Sequence, residues 1–135
     1  MLALAGGGWT AVLLPDRGAA LARLDWRGRA MLAPLPDGAD PNATPAGAFV
    51  MLPWANRLDG GRIGIGGALH HLPVNRAADR TAIHGLARDR PWVVEQAAPD
   101  AAALTQVLDD PALPLRYAAR FRLALSSAGV ALTLG

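Results

Sequence analysis

Asn56, Arg57, His84 and Trp92 are the residues of this chain whose types suit one shared chemistry. Asn56 and Arg57 stand in Pro53-Trp54-Ala55-Asn56-Arg57-Leu58, His84 in Ile83-His84-Gly85-Leu86, and Trp92 directly after Pro91. An amide offers a donor and an acceptor to vicinal hydroxyls, and a guanidinium offers several donors in a planar fork with a permanent charge. Imidazole donates or accepts near neutral pH, and an indole stacks on an apolar ring face. Together these are the side chains that hold a polyhydroxylated ring. Each also has a plainer use. Asn56 can serve a turn and Arg57 can pair with Asp59; His84 can be a core histidine and Trp92 a core strand residue.

Other chemistries find less support. His70 and His71 are neighbours on an expected strand, where side chains face opposite ways, so the two do not chelate one ion and no metal site is expected. Cysteine is absent, which excludes disulfides and thiolate metal sites and fits a reducing cytoplasm. The glycines at 60, 61, 64, 66 and 67 form no GxGxxG fingerprint. All 13 basic residues are arginine and the formal net charge is only +2. They alternate with aspartates, without the dense basic run and interleaved aromatics of a nucleic-acid binder. The apolar start Met1-Leu2-Ala3-Leu4-Ala5-Gly6 has no positive n-region and makes a poor signal peptide. No apolar run is long enough to cross a membrane as a helix.

The elements that must position these residues are short and extended. With 15 glycines and 11 prolines in 135 residues, few windows can hold a long helix, and the segments between them are rich in Val, Leu, Ile and Trp. Strands are expected over 9–14, 19–26, 49–52, 92–96 and 101–109, with a turn at Pro15-Asp16-Arg17-Gly18. A loop is expected over 34–47, where prolines remove ladder donors. Residues 62–65 and 68–72 should form a hairpin across Gly66-Gly67, and 116–126 with 129–134 another. Tyr117, Ala119, Phe121, Leu123 and Leu125 fall on one face of their strand and Arg116, Ala118, Arg120, Arg122 and Ala124 on the other. Asn56-Arg57 should sit where a strand ends and a loop begins, and His84 at a strand end, where Gly85 would let a ligand approach. The fold class is all-β, an antiparallel β-sandwich in one domain spanning 1–135.

The order and spacing of Pro53-x-x-Asn56-Arg57, Gly61-Arg62, Asn75, His84-Gly85 and Trp92 resemble the N-terminal portion of the galactose mutarotase (aldose 1-epimerase) family, over about residues 9–134. The resemblance implies a supersandwich of which this chain is the N-terminal half. It also implies an activity, interconversion of the α and β anomers of an aldose of galactose or glucose type, with no cofactor. Opening the hemiacetal takes a base for the anomeric hydroxyl and an acid for the ring oxygen. By the resemblance Arg57 and His84 bind and orient the sugar with Asn56 beside them, His84 is at most an auxiliary to catalysis, and Trp92 gives support from the core. The family's acid, a histidine in a later His-Pro pair, and its base, a glutamate near the C-terminus, have no match here; the one glutamate is Glu95. The chain is therefore expected to hold sugar and to be inactive alone. A half sandwich should also leave strand edges free for self-association. Two alternatives are a non-catalytic carbohydrate-binding module and a relative of hexose-phosphate epimerases. In the latter Arg76, Arg80, Arg88 and Arg90 would meet a phosphate, although as loop arginines they are expected to be solvated.

Overall fold

The computed structural model describes residues 1–44 and 47–135, so Pro45 and Ala46 of the expected loop lie outside the described residues. The strands in chain order are β1 (Leu2–Gly6), β2 (Trp9–Leu14), β3 (Ala20–Trp26), β4 (Arg29–Ala30), β5 (Arg57–Asp59), β6 (Arg62–Ile65), β7 (Ala68–His71), β8 (Thr81–Ile83), β9 (Val93–Ala97), β10 (Ala101–Leu108), β11 (Tyr117–Ser126) and β12 (Gly129–Leu134). Among the described residues the only helical elements are two single 3-10 turns, Ala77–Asp79 and Ala87–Asp89. Neither is long and apolar enough to cross a membrane.

Two four-stranded antiparallel sheets, ordered β1-β2-β3-β4 and β12-β11-β10-β9, form the layers of a sandwich. Period-2 patterning fixes which face of each strand is buried. Along β11 Ala119, Phe121, Leu123 and Leu125 are buried while Ala118, Arg120, Arg122 and Ala124 are exposed. These inward residues meet Leu4, Ala11, Leu13 and Leu21 of the first sheet in a shared core. Leu13, Leu104 and Leu123 are fully buried at its centre.

Two small ladders complete the structure, β6 with β7 and β5 with β8. The first is the Gly66-Gly67 hairpin, whose glycines take φ of 59° and 81°, a pair of positive angles that a two-residue turn requires and side-chain-bearing residues resist.

Three local expectations change. The opening apolar run forms β1, paired with β2 across Gly7-Gly8. The run 49–52 is not a strand. Its backbone neighbourhood offers only isolated bridges, Leu21 with Ala48 and Leu52 with Gly85, although the alternation persists, with Val50 buried and Phe49 and Met51 exposed. Asn56-Arg57 lies at the entry to a strand, since β5 starts at Arg57.

Candidate functional site

The β5–β8 ladder pairs Arg57 with Ile83, Leu58 with Ala82 and Asp59 with Thr81. Asn56 and His84 occupy the next rung, and there both residues turn left-handed, with φ of 65° and 60°. A hydrogen-bonded antiparallel rung, as this one is by alternation, would exchange two N–H···O=C bonds. Here the His84 N–H still donates to the Asn56 carbonyl, at 3.0 Å. The return bond goes to the ring instead: the Asn56 N–H donates to His84 Nδ1, also at 3.0 Å. The Asn56 side chain contributes to the same turn, because its Oδ1 accepts from the Arg57 N–H at 3.0 Å.

This arrangement sets the state of the imidazole. With Nδ1 accepting, the proton of the neutral ring belongs on Nε2, which is then a donor. Burial first, and then the charges of Arg88, Arg57 and Arg76, hold the His84 pKa below its ordinary value. The ring is therefore a neutral donor at neutral pH. An N–H of that kind can hold a hydroxyl or a ring oxygen; it is a poor proton source.

Asn75 positions the histidine. Its Oδ1 accepts from the Ile83 N–H at 2.7 Å, and its Nδ2 donates to the Ile83 carbonyl at 3.0 Å and to Asp89 at 2.8 Å. One side chain thus replaces a neighbouring strand for the residue before His84. Gly85 has a different task from the one expected. A Cβ there would collide with the Leu52 carbonyl, which receives the N–H groups of Leu86 and Ala87 at 2.8 and 3.1 Å. The missing side chain admits backbone and not a ligand.

Asn56, Arg57 and His84 share the wall of an open cleft of about 680 Å³, with Asn42, Phe49, Met51, Arg76 and Arg88. The expected Arg57–Asp59 pair does not form. Asp59 is taken by Arg62, and Arg57 Nε meets Asp79 at 3.2 Å. Asp79 also accepts from the Thr81 hydroxyl at 2.7 Å. That bond foremost, with the charges of Arg57 and Arg76, lowers the Asp79 pKa against the opposing effect of burial.

Arg88 departs from the expectation of a solvated loop arginine. Only 7% exposed, it donates from Nε to Asn42 Oδ1 at 2.8 Å and from Nη2 to the Asn42 carbonyl at 3.2 Å. Its guanidinium lies 4.5 Å from the centre of the Phe49 ring, and that ring is 5.4 Å from the imidazole of His84. The cation–π contact helps to hold the guanidinium against the ring.

Trp92 is not on the cleft wall. It is buried and edge-on to Phe121 at 6.3 Å, and its indole N–H donates to the Ala87 carbonyl at 3.2 Å. Gln106, also buried, donates to the carbonyls of Ala87, Arg90 and Pro91 and accepts from the Tyr117 hydroxyl at 2.6 Å. These two residues tie the turn carrying Arg88 to the second sheet. Glu95 does not line the cleft and pairs with Arg120 at 3.0 Å. Among the described residues no three His, Cys, Asp or Glu side chains gather to hold a metal. Asn75, Asp79, Asn42 and Phe49 are the contributors that sequence reasoning passed over. Asn75 carried a signal, through its place in the spacing pattern.

A family profile for aldose 1-epimerases matches residues 2–134. An uncharacterised protein of Escherichia coli K12, YihR, is 30% identical over 109 residues, 79% of this chain and 34% of that protein. The crystal structure of a candidate aldose 1-epimerase from Escherichia coli K12 superposes with a TM-score of 0.82 at 20% identity, over 98% of this chain and 44% of its own. A galactose mutarotase-like protein from Clostridium acetobutylicum gives 0.80 at 22% identity, with the same coverages of 98% and 44%. At these identities the two structures establish a common fold. The chain spans about a third of the length of the curated relative and under half that of the solved structures.

Proposed function

The chain belongs to the aldose 1-epimerase family, and from that premise we propose that these 135 residues carry the sugar-holding part of a mutarotase site, with Asn56, Arg57 and His84 as its grip. The observation that carries this reading is the Asn56–His84 rung. It fixes a neutral Nε2 donor beside an Arg57 guanidinium on the wall of an open cleft. Donors with fixed directions and little freedom left to lose suit a ring of hydroxyls, since less ordering is required on binding.

Anomerisation needs proton transfer at two places on the sugar, the anomeric hydroxyl and the ring oxygen. The cleft wall offers no group for either transfer. Among the described residues no carboxylate lines it, the neighbouring Asp79 is held by Arg57, Arg76 and Thr81, Glu95 is engaged elsewhere, and His84 is held neutral with its one proton on the weakly acidic N–H. In this proposal the residues described here bind and orient, and the acid and base are supplied from outside them.

Calorimetry with glucose and galactose, together with polarimetry of freshly dissolved α-glucose, tests both parts. Saturable binding that His84→Ala weakens about tenfold, with mutarotation no faster than in buffer, is the expected result. A large acceleration by the chain, abolished in His84→Ala, would show that it transfers protons itself. Absence of binding to either sugar would remove the proposed role.

A further inference from the structure

The loop before Phe49 reaches the cleft because two arginines pin it. Arg17 Nη1 donates to the Ala39 carbonyl at 2.7 Å, and Arg88 holds Asn42. Between these points Asp40 builds a turn. Its Oδ1 accepts from the Asn42 N–H at 2.9 Å, and its carbonyl accepts from the N–H groups of Ala43 and Thr44 at 3.1 and 2.9 Å. Pro41, Asn42, Ala43 and Thr44 are thereby set on the cleft wall.

Arg88 serves as a fixed point because its own backbone is fixed. A Cβ on Gly18 would overlap the Arg88 carbonyl, so the chain at 88 lies directly against the turn between β2 and β3. The preceding Ala87 carbonyl accepts from Trp92 and Gln106. From this base the guanidinium meets Asn42 twice, with Nε at Oδ1 and Nη2 at the carbonyl, 2.8 and 3.2 Å away. Asp89 already supplies a counter-ion at 3.7 Å, so what the contact adds is direction. With Oδ1 committed to Nε, the planar amide turns its Nδ2 donors away from Arg88. Among the described residues Nδ2 has no acceptor, although Asn42 is exposed and lines the cleft.

We propose that Asn42 is a further sugar-binding, specificity-determining residue of this cleft, donating from Nδ2 to one hydroxyl of the ring, and that Arg88 is the positioning residue that sets its amide. The inference rests on the sugar-holding role and adds to it a neutral, directed donor from a second segment of the chain. A donor whose direction is fixed discriminates between sugars by a single hydroxyl, because a sugar that lacks it leaves the donor unpaired.

Titration calorimetry and NMR of the side-chain amides, with glucose, galactose and their monodeoxy forms, test it. Asn42→Asp keeps the acceptor for Arg88 and removes the donor. Its unfolding midpoint should match or exceed that of the wild type, while its affinity for the preferred sugar falls about tenfold. One monodeoxy form should bind the wild type about tenfold more weakly than its parent, and Asn42→Asp should bind the two alike. In the wild type the Asn42 amide peaks should shift as sugar is added. Arg88→Lys keeps the charge and loses the two-point fork, so there the peaks should move even without sugar and respond less to it. Undiminished affinity in Asn42→Asp, or Asn42 peaks that stay still while sugar saturates the chain, overturns the inference and leaves the sugar-holding role intact. A full response in Arg88→Lys overturns the positioning role of Arg88. Absence of binding to either parent sugar by the wild type removes the sugar-holding role itself.

Discussion

At the scale of single residues, His84 shows how a backbone angle decides a protonation state. Its left-handed φ of 60° lets the ring curl back and take the N–H that a carbonyl would ordinarily receive. Protonation would abolish that acceptor and place another positive charge near Arg57, Arg76 and Arg88. Because the folded pKa is depressed below the ordinary value of 6.5, the imidazole's contribution is fully present above about pH 6.5 and is lost as pH falls through the lower folded value. Thermal stability should decline on acidification below about pH 6.5, and sugar affinity as pH falls further, through the lower folded value. His84→Asn, whose short side chain tolerates a positive φ, should flatten that part of the profile. A wild-type stability profile unchanged between about pH 8 and pH 5 would contradict the depressed His84 pKa and the accepting role of Nδ1 behind it. The types at 56, 57 and 84 were legible in the sequence because amide, guanidinium and imidazole chemistry is intrinsic to the residue. The partner of Arg57 was not: Asp59 is nearest in sequence, yet Arg62 takes it and Asp79 takes Arg57.

At the scale of elements, the site rests on a ladder of three residue pairs reinforced by one side chain. Asn75 satisfies both backbone groups of Ile83, a residue only 7% exposed. Asn75→Ala would leave a buried donor and acceptor unpaired, a loss of about 1–3 kcal/mol. We expect a lower unfolding midpoint in urea together with sugar binding weakened by more than that of a surface substitution such as Arg29→Ala. A variant with unaltered affinity would show that His84 holds its position without Asn75. The long strands and the Gly66-Gly67 hairpin could be read in advance because alternation and turn chemistry act over a few residues. The run 49–52 has the same alternation and still fails as a strand, since a strand also needs a continuous partner, and Leu52 spends its carbonyl on Leu86 and Ala87.

At the scale of the whole molecule, the shared core of the two sheets leaves apolar surface uncovered beside the last strand. Leu132 and Leu134 of the edge strand β12 are 54% and 44% exposed. They border a hollow of about 290 Å³ lined with Leu21, Phe49, Met51 and Phe121. An apolar patch next to an unpaired strand edge favours association. Sedimentation velocity should show species larger than a monomer as concentration rises, and Leu132→Lys with Leu134→Lys should shift the chain toward the monomer. A wild-type monomer at every concentration would contradict this. By itself the sequence determined the all-β character, the inward face of β11 and the residue types suited to a sugar, because periodicity, glycine turns and side-chain chemistry are local properties. Only the tertiary structure decided what those side chains do. It joined Arg88 to Asn42 across 46 positions, set Arg57 and Arg76 on one carboxylate, and gave the space at Gly85 to the Leu52 carbonyl. Each of these depends on which distant segments the packed sheets bring within hydrogen-bonding distance, and no local pattern encodes that.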